Sequence, residues 1–187
     1  VHVTELDEFT RESLRALLGY QARGRGKTAE QAKKTAAQMD LSLPEDPRQA
    51  ASIADEKLPA ALKEVFSPGG LSQVSSGKLV KLAEGTAALC LYKKLKVSQI
   101  RNFFGHVKRL SLQFRRREFC YDEVELLRIP LAYSRGRNDA VEPLYSTCMS
   151  ALEGISSDPE QGFQDFVKFE KLLEAIVAYH KFYGGSE

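Results

Sequence analysis

Apolar residues recur at intervals of three and four along the chain, and no run alternates apolar with polar positions as a half-buried strand would. The pattern therefore predicts helices throughout. In "TELDEFTRESLRALLGYQ", Leu6, Phe9, Leu14, Leu17 and Leu18 fall largely on one face, and "RGRGK" ends the segment. Thr28 is placed to open a second helix running to about Met39, with Gln31 in the capping-box position. "LPEDP" interrupts it, a short helix follows through "RQAASIADEK", and Pro59 can begin another at its first turn.

"SPGG" at Ser67–Gly70 is the clearest boundary. It divides the chain into an N-terminal helical extension, residues 1–70, and a bundle, residues 71–187. Beyond it the pattern predicts a helix over about 78–92 and a turn at "KLKVS". Next comes a helix in "QIRNFFGHVKRLSLQFRRRE" with Ser98 as its N-cap. Another begins near Tyr121, where Pro130 must kink it or start a new one. "EPLYSTCMSALEGI" is a further segment. The last helix has Asp158 as cap, Pro159 at its first position and Gly184 as its stop. The expected fold is all-α, an antiparallel helical bundle with an N-terminal helical extension.

Charge alters this picture. The chain carries 27 basic and 25 acidic side chains, but between Lys93 and Arg137 twelve basic residues face only four acids. A block that basic on an otherwise acidic chain points to a polyanion partner; the plain alternative is a solvated charged face. In the helix after Ser98, Ile100, Phe103, Phe104, Val107, Leu110 and Phe114 form a core-facing stripe. At ~100° per residue, Arg101, Lys108 and Arg115 lie within about 40° of one another beside that stripe, roughly 10 Å apart along the axis. Such a row can follow a phosphate backbone. The helix dipole alone accounts for cations at Arg115–Arg117 but not for Arg101, expected in the first turn.

Conventional chemistry is sparse. Cys90, Cys120 and Cys148 are far apart and lack metal-ligand spacing, which reads as reduced, unpaired thiols. No metal box, phosphate-cradling glycine loop or nucleophile elbow is found, and "RGRGK" has no preceding strand. His180 continues the seam Phe166, Phe169, Leu173, Ile176, so it reads as a packed residue; His2 and His106 have no spacing that makes either its partner. No cofactor and no enzyme activity are expected. No apolar run is long enough for a membrane span, and no basic segment followed by an apolar stretch suggests export. The expected location is cytoplasmic.

Three stretches occur in order: "KLKVSQIRNFF" (94–104), "PLAYSRGR" (130–137) and "FVKFEKLLEAIVAYHKFYGG" (166–185). Together they resemble the small helical subunit of type III-A CRISPR effector (Csm) complexes. In that family a Ser-Gln-Leu/Ile-Arg turn opens a helix, a Leu-Ala-Tyr segment ends in arginine, and the chain closes near Ala-Tyr-His-Lys-Tyr-Tyr-Gly-Gly. Phe182 and Ser134 are minor departures, and the resemblance spans about residues 78–185, leaving 1–70 uncovered. It implies a non-catalytic RNA-binding subunit that self-associates in the minor filament of the complex. The implied partners are crRNA, target RNA and the other subunits. By motif, Arg101, Arg137 and Lys181 carry over as RNA contacts; with the charge reading, the candidate set is Lys96, Arg101, Lys108, Arg115, Arg116, Arg135, Arg137 and Lys181. The small subunit of a type III-B complex, a helical protein-binding adaptor, and a nuclease using His180 and Lys181 are the alternatives.

Overall fold

The computed structural model describes residues 3–66 and 70–186, and these form nine α-helices, two 3₁₀ turns and no strand. Ser67, Pro68 and Gly69 of the "SPGG" boundary lie outside the described residues, as does His2. The helices are α1 Glu5–Ala22, α2 Lys27–Gln38, α3 Pro47–Val65, α4 Ser76–Tyr92, α5 Val97–Phe114, α6 Tyr121–Glu125, α7 Arg128–Arg137, α8 Glu142–Glu153 and α9 Pro159–Phe182. The 3₁₀ turns are Leu71–Gln73 and Asp139–Val141.

Local chemistry accounts for several helix starts. Thr4 and Asp7 form a reciprocal capping box on α1, Ser75 accepts the Lys78 amide to start α4, and Asp158 accepts the Gln161 amide ahead of Pro159. Three starts differ from the sequence reading. Helix α2 begins at Lys27 after Gly26, and the Gln31 amide is bonded to Thr35 instead of closing a box. Helix α3 is continuous through Pro59, because Ala54, Leu58, Ala61, Leu62 and Val65 keep one buried face across it. Pro59 itself is exposed, so the carbonyl it leaves without an amide partner can turn to water. Helix α5 begins at Val97, not after Ser98. The Gln99 side chain accepts the Lys96 amide (3.4 Å), and the Val97 amide donates to the Ser186 carbonyl (3.2 Å).

Helices α4 and α9 run the same way at the centre, with α5 antiparallel to both. Leu95, just before α5, meets His180 near the end of α9, whereas Phe114, the last residue of α5, meets Phe166 near its beginning. Phe103, Phe114, Phe119, Phe166 and Phe169 form a connected ring cluster in this layer. Helix α8 crosses the other side of α4, where the Thr86 and Thr147 hydroxyls bond at 3.1 Å in the interior.

The N-terminal helices join this core. Leu6 and Phe9 lie at 2% and 0% exposure in the same cluster as Phe166 and Phe169, and α1 contacts α4 along its length. Gly85 permits that approach: a Cβ there would stand 2.7 Å from the Phe9 ring and 3.0 Å from the Thr10 Cα. Leu14, Leu17 and Leu18 form a second cluster with Ala88 and Tyr183.

Candidate nucleic-acid interface

The basic block of the sequence runs from the α4–α5 turn through α5, α6 and α7. On α5 the predicted stripe is inside: Ile100, Phe103, Val107, Leu110 and Phe114 are buried and Phe104 partly so. Arg101, Lys108 and Arg115 are exposed on one flank, as the helical spacing requires. Because α5 starts earlier than its sequence suggested, Arg101 is the fifth helical residue and has left the first turn. The dipole objection to a cation there is correspondingly weaker.

That flank holds an unforeseen acid. Glu170 of α9 is 2% exposed and accepts from Lys108 Nζ (2.5 Å), Ser111 Oγ (2.5 Å) and, at 3.5 Å, Arg115. Burial alone would raise the carboxyl pKa, but the Lys108 and Ser111 hydrogen bonds and the Lys108 and Arg115 charges together hold it below its ordinary value. Lys108 and Arg115 keep about half of their side chains exposed while sharing this carboxylate. Two of the three cations in the row are thus drawn to one anion. The signal was present in "KFEKLL": Glu170 occupies a position on the apolar seam, next to Phe169, where a charge has no reason to be unless it is paired.

The other candidates lie in different places. Arg135 is occupied by two acids, Asp139 and Glu142, close to its own helix end. Arg137 is exposed and lies over the Tyr133 ring at 5.4 Å. Arg116 is exposed just past the end of α5, and Lys96 is exposed just before its start. Lys181 is exposed in the last turn of α9, whose tail bonds to the first turn of α5. Between α5 and α7 runs a groove of about 570 Å³ lined by Gln99, Asn102, His106, Tyr133, Arg137 and Asn138. It lies on the flank of α5 opposite Glu170. The structure thus puts Arg137 with the α5–α7 groove, and Lys108 and Arg115 with α9.

The closing segment is built as a lock. His180 is fully buried, and its Nε2 donates to the Leu95 carbonyl at 2.7 Å. Burial, the largest influence, lowers the His180 pKa, so the imidazole is held neutral. Gly184 takes the left-handed conformation (φ +96°) that ends α9, and the Gly185 amide returns to the His180 carbonyl at 2.9 Å. A Cβ on Gly185 would stand 2.1 Å from His180 Nδ1, so the second glycine is required by contact with the ring. Tyr183 is bonded to Glu84 through its hydroxyl and to Gln21 through its carbonyl.

Reactive groups are shielded. Burial pushes the Cys90 thiol up to about 12 and Cys148 well above its ordinary value, which removes the thiolate. No group of three or more metal-ligating side chains is found among the described residues. None of the described helices is long and apolar enough to cross a membrane.

A family model described as Csm2 Type III-A matches residues 74–186. The Streptococcus thermophilus protein described as "CRISPR system Cms protein Csm2" is 32% identical over 95 residues, covering 50% of this chain and 76% of that relative. No solved structure matches the chain.

Proposed function

The chain belongs to the type III-A Csm2 family, and on that premise we propose that it is a non-catalytic, RNA-binding small subunit of a type III-A CRISPR effector complex. In this reading, copies stack in the minor filament and hold the paired crRNA and target RNA by their backbones. Cutting belongs to other subunits. The supporting observation is the α5–α7 face. Its polar groove has Arg137 over an exposed tyrosine, and Arg116 is exposed past the α5 end; Lys96 and Arg101 are exposed at the α5 start, Arg101 on the other flank with Lys108 and Arg115. Such a surface suits recognition of backbone shape without base readout. Lys181 is the proposed contact from α9. Lys108 and Arg115 contribute less, because with Glu170 they amount to one net positive charge. Arg135 is weakened in the same way by its two acids.

For assembly, α6 and α7 present Leu126, Ile129 and Tyr133 at 59%, 64% and 65% exposure. A side-by-side apolar group of that kind on a helix surface suits a neighbouring subunit or a second copy. Residues 1–70 are proposed as an extension on the 71–187 bundle, and the family match beginning at Val74 supports that division. The test is filter binding of an RNA duplex against salt concentration. Changing Arg101, Arg116 and Arg137 to Gln should flatten the salt slope by about 2 to 3, close to ~0.7–0.9 per lost phosphate contact. An unchanged slope in a folded variant would remove RNA from α5 and α7. RNA cleavage by the purified chain that is lost in His180→Gln would overturn the non-catalytic reading.

A further inference from the structure

Away from the α5–α7 groove, a cleft of about 810 Å³ opens between the end of α1, the start of α3 and the α4–α5 turn. That volume is within the ~300–1,000 Å³ of ordinary ligand sites. Two tyrosines form one wall: Tyr20 and Tyr92 meet edge to face at 6.0 Å, and Tyr20 keeps 51% of its surface exposed. Arg23, Arg25, Arg48, Lys93 and Lys94 surround them, against one acid, Asp46. Asp46 is engaged in capping α3 through the Arg48 amide, and Lys93 is held by Asp55. Arg23, Arg25 and Arg48 are exposed, and Lys94 lies 6.0 Å over the Tyr20 ring. Here arginines gather around a half-exposed tyrosine.

Lys94 is placed by the backbone. It has φ +66° at the end of α4, where its amide returns to Leu91 and that of Leu95 to Cys90, closing a helix-terminating turn that usually takes glycine. The turn aims the lysine back over Tyr20 instead of along α5.

We propose that this cleft binds a short stretch of single-stranded RNA, with one base against Tyr20 and the adjoining phosphates against Arg23, Arg25 and Arg48. An exposed planar ring flanked by arginines matches a base and its phosphates together, whereas an acidic peptide would use the cations and leave the ring face uncovered. Four of the cleft's principal residues, Tyr20, Arg23, Arg25 and Arg48, precede the stretch matched by the family model. The inference rests on the RNA-binding reading for the class of polymer but on separate residues. It assigns to the extension the unpaired part of an RNA, and to the α5–α7 face the paired part.

The experiment is fluorescence anisotropy on the full chain with a short oligoadenylate and with a blunt RNA duplex. Tyr20→Leu should weaken oligoadenylate binding about tenfold, within the range for losing one stacked base, and leave the duplex unchanged. Changing Arg23, Arg25 and Arg48 to Gln removes exposed side chains only, and should lower the oligoadenylate salt slope by about 2. Circular dichroism checks that both variants are folded. If oligoadenylate binding survives both variants but falls with Arg101, Arg116 and Arg137 changed, the cleft is not the site and the proposed function stands. If the chain takes up no oligoadenylate even at low salt, the inference fails, and duplex binding separately decides the proposed function. An oligoglutamate peptide that binds more tightly than the RNA, and is lost in the same variants, would reassign the cleft to a protein partner.

Discussion

Glu170→Gln isolates the charge beneath the basic row with almost no change of shape. The carboxylate accepts from three donors, and a carboxamide can keep the Ser111 bond while turning its own donor toward Lys108 and Arg115. Hydrogen bonds to a charged group contribute ~1.5–3 kcal/mol and neutral ones ~0.5–1.5. Lys108 and Arg115 are about half exposed, so each can swing into water, which holds the expected loss near 2 kcal/mol. For a chain of this length that lowers Tm by roughly 4–8 °C.

The sign with pH follows from the lowered carboxyl pKa. A depressed acid stabilises the fold above its ordinary value of 4.5 and loses that contribution as pH falls through its folded value. Thermal unfolding followed by circular dichroism should therefore show the full difference between wild type and variant at neutral pH, and a smaller one at acid pH, well below 4.5. A gap of the same size at both pH values would mean that shape, not charge, is responsible, and would refute the reasoning. The same substitution releases Lys108 and Arg115, so the RNA salt slope should steepen by roughly 1 as the protein becomes less stable.

Further perturbations test the rest of the frame. His180→Gln can keep a donor to the Leu95 carbonyl; stability should fall by about 1–2 kcal/mol at neutral pH. It should also lose the decline that wild type shows as pH drops below 6.5, where unfolded histidine takes up a proton that the buried ring resists. Gly185→Ala should cost about 1–3 kcal/mol through the clash with the His180 ring. Gly105→Ala, with nothing within 4 Å of its Cβ, should be neutral or stabilise α5 by up to ~1 kcal/mol, and equal Tm values for the two would sink the lock. Phe9→Ala should cost about 3–5 kcal/mol, and a chain begun at Leu71 should aggregate, since it leaves bare the α4 face that Leu6 and Phe9 cover. A monomeric, helical, cooperatively melting fragment would show that the bundle stands without the extension.

Periodicity sufficed for the long helices because those bury one stripe, and a stripe is visible in a single sequence. The ends were less legible where long-range contacts set them. Nothing local to Lys96 announces that the Ser186 carbonyl will receive the Val97 amide, and α5 therefore starts before its apparent cap. Pro59 misled for a related reason: propensity places a break there, but the buried alanines of α3 hold the helix through it. At the candidate site the row Arg101, Lys108, Arg115 follows from helical geometry alone. That Glu170 would lie opposite two of its members depends on how α5 and α9 pair, which the spacing on one helix does not encode.

The closing Tyr-His-Lys-Phe-Tyr-Gly-Gly segment shows why residues that look chemical can be mechanical and still matter to RNA binding. His180 is fully buried, held neutral, and bonded through Nε2 to a backbone carbonyl, which is the setting of a packing residue. Its position nevertheless fixes two things at once. Through Leu95 it holds the turn that aims Lys94 across Tyr20, and through Gly185 it brings Ser186 onto the first amide of α5. The cleft and the start of the basic helix are therefore referenced to one buried ring. A loosened ring should weaken oligoadenylate and duplex binding together, although His180 touches neither. A His180→Gln protein that stays folded and loses only one of the two would break that link and make the cleft and the basic helix independent.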